Sequence, residues 1–368
     1  MQQIDVESAG VTDIGNVRSD NQDQFLVADL TRSMLVRSGA LSAAPGERLF
    51  GGSMGHLFLV ADGMGGHRAG SEASLFAVQY FANAILNSVR WLVRIEPATE
   101  GVFLEELKGI LVNAHQALEE RAATDKAYKG MGTTLTMAYI AWPRMYVVHA
   151  GDTRCYVVRE NSMRLLTRDH TVAQDMVQKG QLAREELESS HWSNVLVNAL
   201  GAGASDVYAD IYTYDLQVGD TLMLCSDGLN KHVSDPKIHE VLTQSESSQA
   251  ACDALIQLAK QAGGTDNITV VTANFSKPVA SDLRMRVSAA RQTKIRDLQD
   301  LPIPFGQSDT NAEELNSEEL NSEELNSEEL NPEELNPGET LDFEGKVTDT
   351  ADFPNSSKRA TDEFQTFQ

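Results

Sequence analysis

Leu57-Phe58-Leu59-Val60-Ala61-Asp62-Gly63-Met64-Gly65-Gly66-His67 is the stretch on which the reading of this chain turns. Its first five residues form a short continuous apolar run and read as a buried strand. The run stops on an aspartate followed by several glycines. A carboxylate at the edge of a buried strand is costly unless it is hydrogen-bonded, paired or bound to a cation. Glycine lets the backbone approach a metal or a phosphate closely. The plain alternative for a single Asp-Gly pair is a turn.

On either side of this run the pattern is mixed. Residues 71–93 and 102–121 carry apolar side chains at helical spacing without internal proline, so each predicts a long amphipathic helix. Residues 133–141 and 144–150 are strand-like and flank Trp142-Pro143, the form of a hairpin. Further strands are expected at 154–158, 221–226 and 268–275, with helices at 236–243 and 248–262 between the last two. Strands outnumber helices and short turns join most of them. An antiparallel core with helices packed outside follows, in preference to a doubly wound parallel sheet.

The ending on Asp62 is repeated elsewhere. Asp152 follows Val147-Val148-His149-Ala150-Gly151, and Asp227 follows Leu222-Met223-Leu224-Cys225-Ser226 and precedes Gly228. Asp266 stands just before the apolar run that starts at Ile268, and Asp20 and Asp23 stand just before the run that starts at Phe25. If these ends converge, the carboxylates cannot all stay ionised without a counter-charge, which metal ions supply. Oxygen-only donors point to Mg²⁺ or Mn²⁺ and away from zinc. Two such ions about 3.5–4 Å apart can bridge a water, lower its pKa toward roughly 7 and clamp a phosphoryl group.

The ordered set Arg18-Ser19-Asp20-Asn21-Gln22-Asp23, Asp62-Gly63-Met64-Gly65-Gly66-His67, Met131-Gly132-Thr133-Thr134, Gly151-Asp152-Thr153-Arg154, Ser226-Asp227-Gly228-Leu229 and Asp266-Asn267-Ile268-Thr269 resembles the metal-dependent serine/threonine protein phosphatases of type 2C, bacterial branch. The resemblance covers about residues 8–275. It implies an α+β fold, a four-layer α/β/β/α sandwich of two antiparallel sheets with a metal cleft at one end. It also implies hydrolysis of phosphoserine and phosphothreonine esters by in-line attack of a hydroxide bridging two Mn²⁺ or Mg²⁺ ions. By the same resemblance Asp62 bridges the two metals, the Gly63 carbonyl completes one shell, and Asp227 and Asp266 hold the other ion. Asp152 matches a position that helps Asp227 hold a third, weaker ion, against the alternative of a turn or a salt bridge to Arg154. Asp23 is expected to act through metal-bound water or to cap a strand edge.

Arg18 is the expected phosphate clamp, because a guanidinium offers a planar fork of donors to two phosphate oxygens. Asn267 either touches the site or caps its turn. For the proton donor the candidates are His67 and metal-bound water, since Met64 stands where animal relatives carry histidine. His170 and the Met131–Thr134 stretch read as packing and hydrogen bonding. Two departures from the family pattern stand out. Val197-Asn198 replaces a Thr-Arg pair before Ala199-Leu200-Gly201, near a substrate flap at about 180–193. Residues 31–56 form a long Gly/Ser/Ala-containing connection, read as a surface insertion.

Composition divides the chain. The formal net charge is −24, from 54 acidic and 30 basic residues. Residues 301–368 hold 18 acidic and 3 basic residues, a net of −15, which leaves −9 for residues 1–300. Five tandem five-residue units fill 311–335, each with one Leu and two Glu, and Pro332 and Pro337 close the run. Stacking them would set rings of like charge against one another, so a disordered acidic tail is expected. Residues 281–300 could form a loose basic helix. The domain expectation is a catalytic domain over 1–276 and a tail over 277–368 that can bind a partner.

The acidity argues against non-specific nucleic-acid binding. No apolar run approaches the roughly 20 residues of a membrane span, and the N-terminus has no signal-peptide pattern. Three scattered cysteines argue against a disulfide framework. A cytoplasmic enzyme with a monomeric catalytic domain, acting on the targets of a serine/threonine kinase, is the expectation. The competing one is a catalytically silent scaffold that binds phosphoproteins.

Overall fold

In a computed structural model of the protein, the 57–61 run lies inside β3 (Arg48–Met64), the longest strand described. The structure describes residues 4–35, 48–66, 68–87, 97–278, 339–341 and 347–349. Successive side chains of a strand point to opposite faces, and β3 is apolar on both because both are covered. Leu57, Leu59 and Ala61 pack with α1 (Arg68–Asn87) and α2 (Pro97–Thr124), through Ala73, Phe81, Leu107 and Leu111. Phe58 and Val60 face the other way, against Val157, Leu224 and Val271 of a second sheet. Each fully buried large apolar side chain contributes about 1.5–3 kcal/mol.

The first sheet has the order β10-β6-β5-β3-β4-β9, with β2 paired on β3. Its other strands are β2 (Asp23–Leu35), β4 (Gly132–Thr133), β5 (Leu135–Ala141), β6 (Arg144–Ala150), β9 (Leu200–Gly201) and β10 (Asp210–Asp215). The second has the order β1-β12-β11-β7-β8, from β1 (Asp5–Asp13), β7 (Arg154–Arg159), β8 (Ser162–Leu165), β11 (Thr221–Cys225) and β12 (Ile268–Ser276). Every pairing between these strands is antiparallel. Two short helices, α3 (Val172–Gln178) and α4 (Asp227–Asn230), lie in the connections. The outer face of the second sheet is covered by α5 (Asp235–Gln244) and α6 (Ser248–Gln261), whose Ile238, Leu255 and Ile256 meet Met223, Cys225 and Val270. Two helical layers therefore enclose two sheets, the sandwich that the resemblance implied.

Local chemistry places the helix starts. Pro97 opens α2, where its missing N–H is no loss. The Ser247 side chain caps α6 by accepting from the Ala250 N–H at 3.1 Å. The 88–93 end of the first expected helix lies outside the described residues. The expected 31–56 connection is corrected in part. Residues 31–35 and 48–56 continue β2 and β3 as a long antiparallel arm, with register shifts at Leu30/Thr31 and Thr31/Ser33. The glycine-rich composition hid the pairing, and 36–47 lie outside the described residues.

The chain falls into two compact units, Met1–Ile295 and Arg296–Gln368. The last described element of the first unit ends at Ser276. In the second, β13 (Glu339–Leu341) and β14 (Val347–Asp349) form a two-stranded antiparallel pair, for which the sequence carries no clear signal. The expected basic helix at 281–300 and the repeats at 311–335 lie outside the described residues. Cys155, Cys225 and Cys252 are free thiols and buried. Among the described residues no helix is long and apolar enough to cross a membrane.

Candidate active site

The gap between the sheets has two differently finished ends. At one, Trp142 stacks on Phe275 with centroids 5.6 Å apart and seals the apolar core. The opposite end is closed by aspartates. Asp62 continues the Phe58/Val60 face of β3, and Asp23 continues the Phe25/Val27 face of β2. The β2–β3 register sets Asp23 directly across from Asp62. Like charges in that position repel, so this pair is no product of strand stability. Asp152, Asp227 and Asp266 enter the same field from the ends of β6 and β11 and the start of β12.

Two glycines make the convergence possible. A Cβ on Gly63 would stand 2.1 Å from the Gly70 carbonyl oxygen, and one on Gly228 would stand 2.0 Å from that of Asn267. Neither residue has a positive φ. The two Asp-Gly pairs are therefore points of close backbone approach and not the turn positions that the pair alone would suggest. Gly228 lets α4 seat on the loop that carries Asp266 and Asn267.

The remaining contacts hold the acids in place. Thr134 Oγ1 accepts from the Asp62 N–H at 3.0 Å, and Thr133 Oγ1 donates to the Asp62 carbonyl at 2.9 Å. The 131–134 stretch thus orients the Asp62 backbone beyond its expected packing role. Asn267 Nδ2 donates to the carbonyls of Ile14 and Asp20, and its Oδ1 accepts from the Gln22 N–H at 2.9 Å. It braces the loop leading to Asp23. Asp23 is buried, and its Oδ2 accepts from Ser226 Oγ and Thr269 Oγ1, both at 2.7 Å. Its Oδ1 has no hydrogen-bond partner, and neither has Asp227 Oδ1.

Burial, and then mutual repulsion, push these acids away from the ionised form. The Asp23 carboxyl is pushed up to about 7, by burial first and by Asp227 and Asp266 in addition. Asp62 is pushed well above the usual carboxylate range, again by burial first, with Asp23, Asp227, Asp152 and Asp266 adding to it. Asp152 rises likewise through burial and then Asp227, and Asp227 rises chiefly through burial.

Two cations answer them. Arg18 makes a fork on Asp266, with Nε to Oδ1 and Nη2 to Oδ2 both at 2.9 Å, and its side chain is half exposed. Lys231 pairs with Asp227, four residues before it, and its Nζ stands 3.9 Å from Asp266 Oδ2. The sequence reading did not single out Lys231, although its i,i+4 spacing from Asp227 was a visible signal. Arg154 does not pair with Asp152; it makes a two-pronged bridge to Asp169, the closest contact 2.7 Å.

Beside the acids lies a cavity of about 160 Å³, with Asp152, Arg154, Asp169, Glu188 and Lys231 among its lining residues. Leu187, Glu188 and Ser193 come to it from the expected flap, and Asn194 from the residue after it. His170 is buried, and its Nδ1 accepts from the Gly151 N–H at 3.2 Å while Nε2 donates to Asp210 Oδ2 at 3.1 Å. The departure at Asn198 is structural: Nδ2 donates to His170 Nδ1 at 2.9 Å and to the Tyr208 carbonyl at 2.8 Å. His67 lies outside the described residues.

Whether these residues suit divalent ions can be tested on the contacts. Among the described residues no three acidic, histidine or cysteine side chains are gathered tightly enough to hold an ion as they stand. In this arrangement Arg18 pairs with Asp266 and Lys231 with Asp227. The donor set nevertheless fits a hard cation: all oxygen, crowded with like charge, and with a buried carboxylate oxygen of Asp227 left unpartnered.

Comparison with known proteins agrees with this architecture. The family model described as protein phosphatase 2C matches residues 49–261. The serine/threonine phosphatase stp of Listeria innocua is 34% identical over 217 residues, 58% of this chain and 82% of the relative. Among solved structures, the serine/threonine phosphatase PstP/Ppp of Mycobacterium tuberculosis superposes with a TM-score of 0.59 at 29% identity, covering 74% of this chain and 100% of that one. The catalytic domain of PstP in complex with two manganese ions gives 0.58 at 28% identity, covering 74% and 100%. With these relatives, the class is that of a phosphoprotein phosphatase, a hydrolase. The chain belongs to the protein phosphatase 2C family.

Proposed function

We propose that the chain hydrolyses phosphoserine and phosphothreonine esters of proteins with two Mn²⁺ or Mg²⁺ ions held by Asp62, the Gly63 carbonyl, Asp227 and Asp266. The supporting observation is the convergence of five aspartates at one end of the inter-sheet gap, made possible by two glycines that admit no side chain. When bound, such ions supply Lewis acidity to a phosphoryl oxygen and an activated water at neutral pH.

The chain's own residues do the rest. Arg18 is half exposed and, among the described residues, is paired with Asp266, so its guanidinium can turn to grip two phosphoryl oxygens. Asp23 keeps Oδ2 on Ser226 and Thr269 and leaves Oδ1 to exchange a proton with water. Asn267 orients the Asp20–Asp23 loop. Asp152 and Asp227 flank the position that the resemblance gives to a third ion. Residues 1–276 are the catalytic domain in this reading, and the acidic 277–368 segment is a site for a partner. Retention of every aspartate in the set favours a working enzyme over a phosphoprotein-binding scaffold.

Metal-stripped protein should acquire phosphothreonine-peptide hydrolysis on addition of Mn²⁺ and lose it on chelation. Asp62→Asn should remove that turnover. An Asp62→Asn protein as active as the parent would overturn the mechanism, and Mn²⁺ binding without turnover would favour the scaffold.

A further inference from the structure

Lys231 lies among the described residues of the acidic cluster and has no part in the proposed reaction. It stands at the C-cap of α4, where its backbone N–H donates to the Asp227 carbonyl at 3.0 Å and fixes its position one turn above that residue. Its ammonium pairs with Asp227, lies 3.9 Å from Asp266 Oδ2, and acts electrostatically on Asp152. Its side chain is 29% exposed and lines the cavity together with Asp152. Arg18 differs, because it is about half exposed and makes its fork on Asp266.

We propose that Lys231 is a tethered counter-ion that occupies the space between Asp152 and Asp227, so that no divalent ion binds there. Contacts, charge and backbone position together carry this. The ammonium engages Asp227 through Oδ2, while the buried Oδ1 receives no hydrogen bond from a nitrogen or hydroxyl donor. An ammonium offers donors only, so it cannot share a metal shell, and it repels a divalent cation brought between the same carboxylates. The α4 turn holds it in place, so it competes with a free ion without the entropy cost of capturing one from solution. Arg154, which lines the same cavity, is committed to Asp169 and leaves Asp152 to Lys231.

This inference rests on the metal reading above, and the experiment separates the two. Calorimetric titration of metal-stripped full-length protein with MnCl₂ gives the number of ions per chain. Lys231→Ala should take up one more Mn²⁺ than the parent, whereas Lys231→Arg, which keeps the charge, should not. Adding Asp152→Asn to Lys231→Ala should remove the gained ion, and Asp152→Asn alone should leave the parental number unchanged. Lys231→Gln serves if the alanine variant fails to fold, judged by circular dichroism. An unchanged ion count in both neutral variants would overturn the proposal, as would loss of an ion from the parent on Asp152→Asn. Parental protein that takes up no Mn²⁺ at all would overturn the metal reading and this inference together.

Discussion

Two buried polar clusters sit near the ends of β5 and β6, and they are finished in opposite ways. In the first, His149 bridges Thr136 Oγ1 and the Arg168 carbonyl at 2.9 Å each, while His170 joins Gly151, Asn198 and Asp210. Each ring nitrogen has a partner. Burial pushes His149 down to about 3, and His170 is also lowered chiefly by burial, so both stay neutral at physiological pH. Burial alone would raise Asp210, but hydrogen bonds from His170 and Tyr212 hold it below its usual value. In the second cluster, five aspartates repel one another and two buried carboxylate oxygens have no partner. A satisfied cluster specifies the fold; an unsatisfied one stores a demand for something that folding does not supply.

That contrast can be broken in both directions. The largest effect is expected at Asp227→Asn, with Mn²⁺-dependent peptide turnover reduced by at least about 10³-fold, or roughly 4 kcal/mol. The melting temperature of the metal-free protein should hold or rise, because a repelling charge has gone. A fall in metal-free stability would mean that the acid serves the fold. His170→Ala should do the reverse. It leaves Asp210, Asn198 and the Gly151 N–H short of a partner and opens a cavity, at a cost of about 2–3 kcal/mol in chemical denaturation. Its Mn²⁺ stoichiometry should be that of the parent.

Arg18→Lys should reduce kcat/KM by about 10-fold, roughly 1.4 kcal/mol, through loss of the bidentate fork, with little change in melting temperature. The smallest effect is read in pH. Asp23 is raised to about 7 in the folded state, so the stability it contributes is complete below its unfolded pKa, near 4, and is lost as pH rises through 7. The advantage in melting temperature of metal-free Asp23→Asn over the parent should therefore grow between pH 4 and 7. Saturating Mn²⁺ should shrink it. A gap of constant size across that range would show that Asp23 binds its proton no more tightly in the folded state.

Much of this was legible in the chain. The apolar run at 57–61 read as a buried strand because its pattern is local, and the helices at 236–243 and 248–262 are present with shifts of a residue or so. The arm formed by 31–35 and 48–56 was missed, since glycine, serine and polar residues carry little strand preference and only the pairing partner decides. Asp62, Asp227 and Asp266 stood out because each interrupts or adjoins an apolar run. Lys231 did not, although its i,i+4 spacing from Asp227 is local, because only the fold brings Asp152 and Asp266 near it.

The sequence by itself determined the continuous apolar run that buries both faces of β3, the acids at the strand ends and the separation of a strongly acidic C-terminal stretch. These are properties of neighbours in the chain, set by side-chain period and charge. Only the tertiary structure decided that Asp23 faces Asp62 across two strands, that Gly63 and Gly228 are fixed by close approach, and that Arg154 turns to Asp169. Most of those outcomes depend on contacts between residues tens of positions apart. Short-range pattern carries no record of such distances, and the packing of the two sheets sets them.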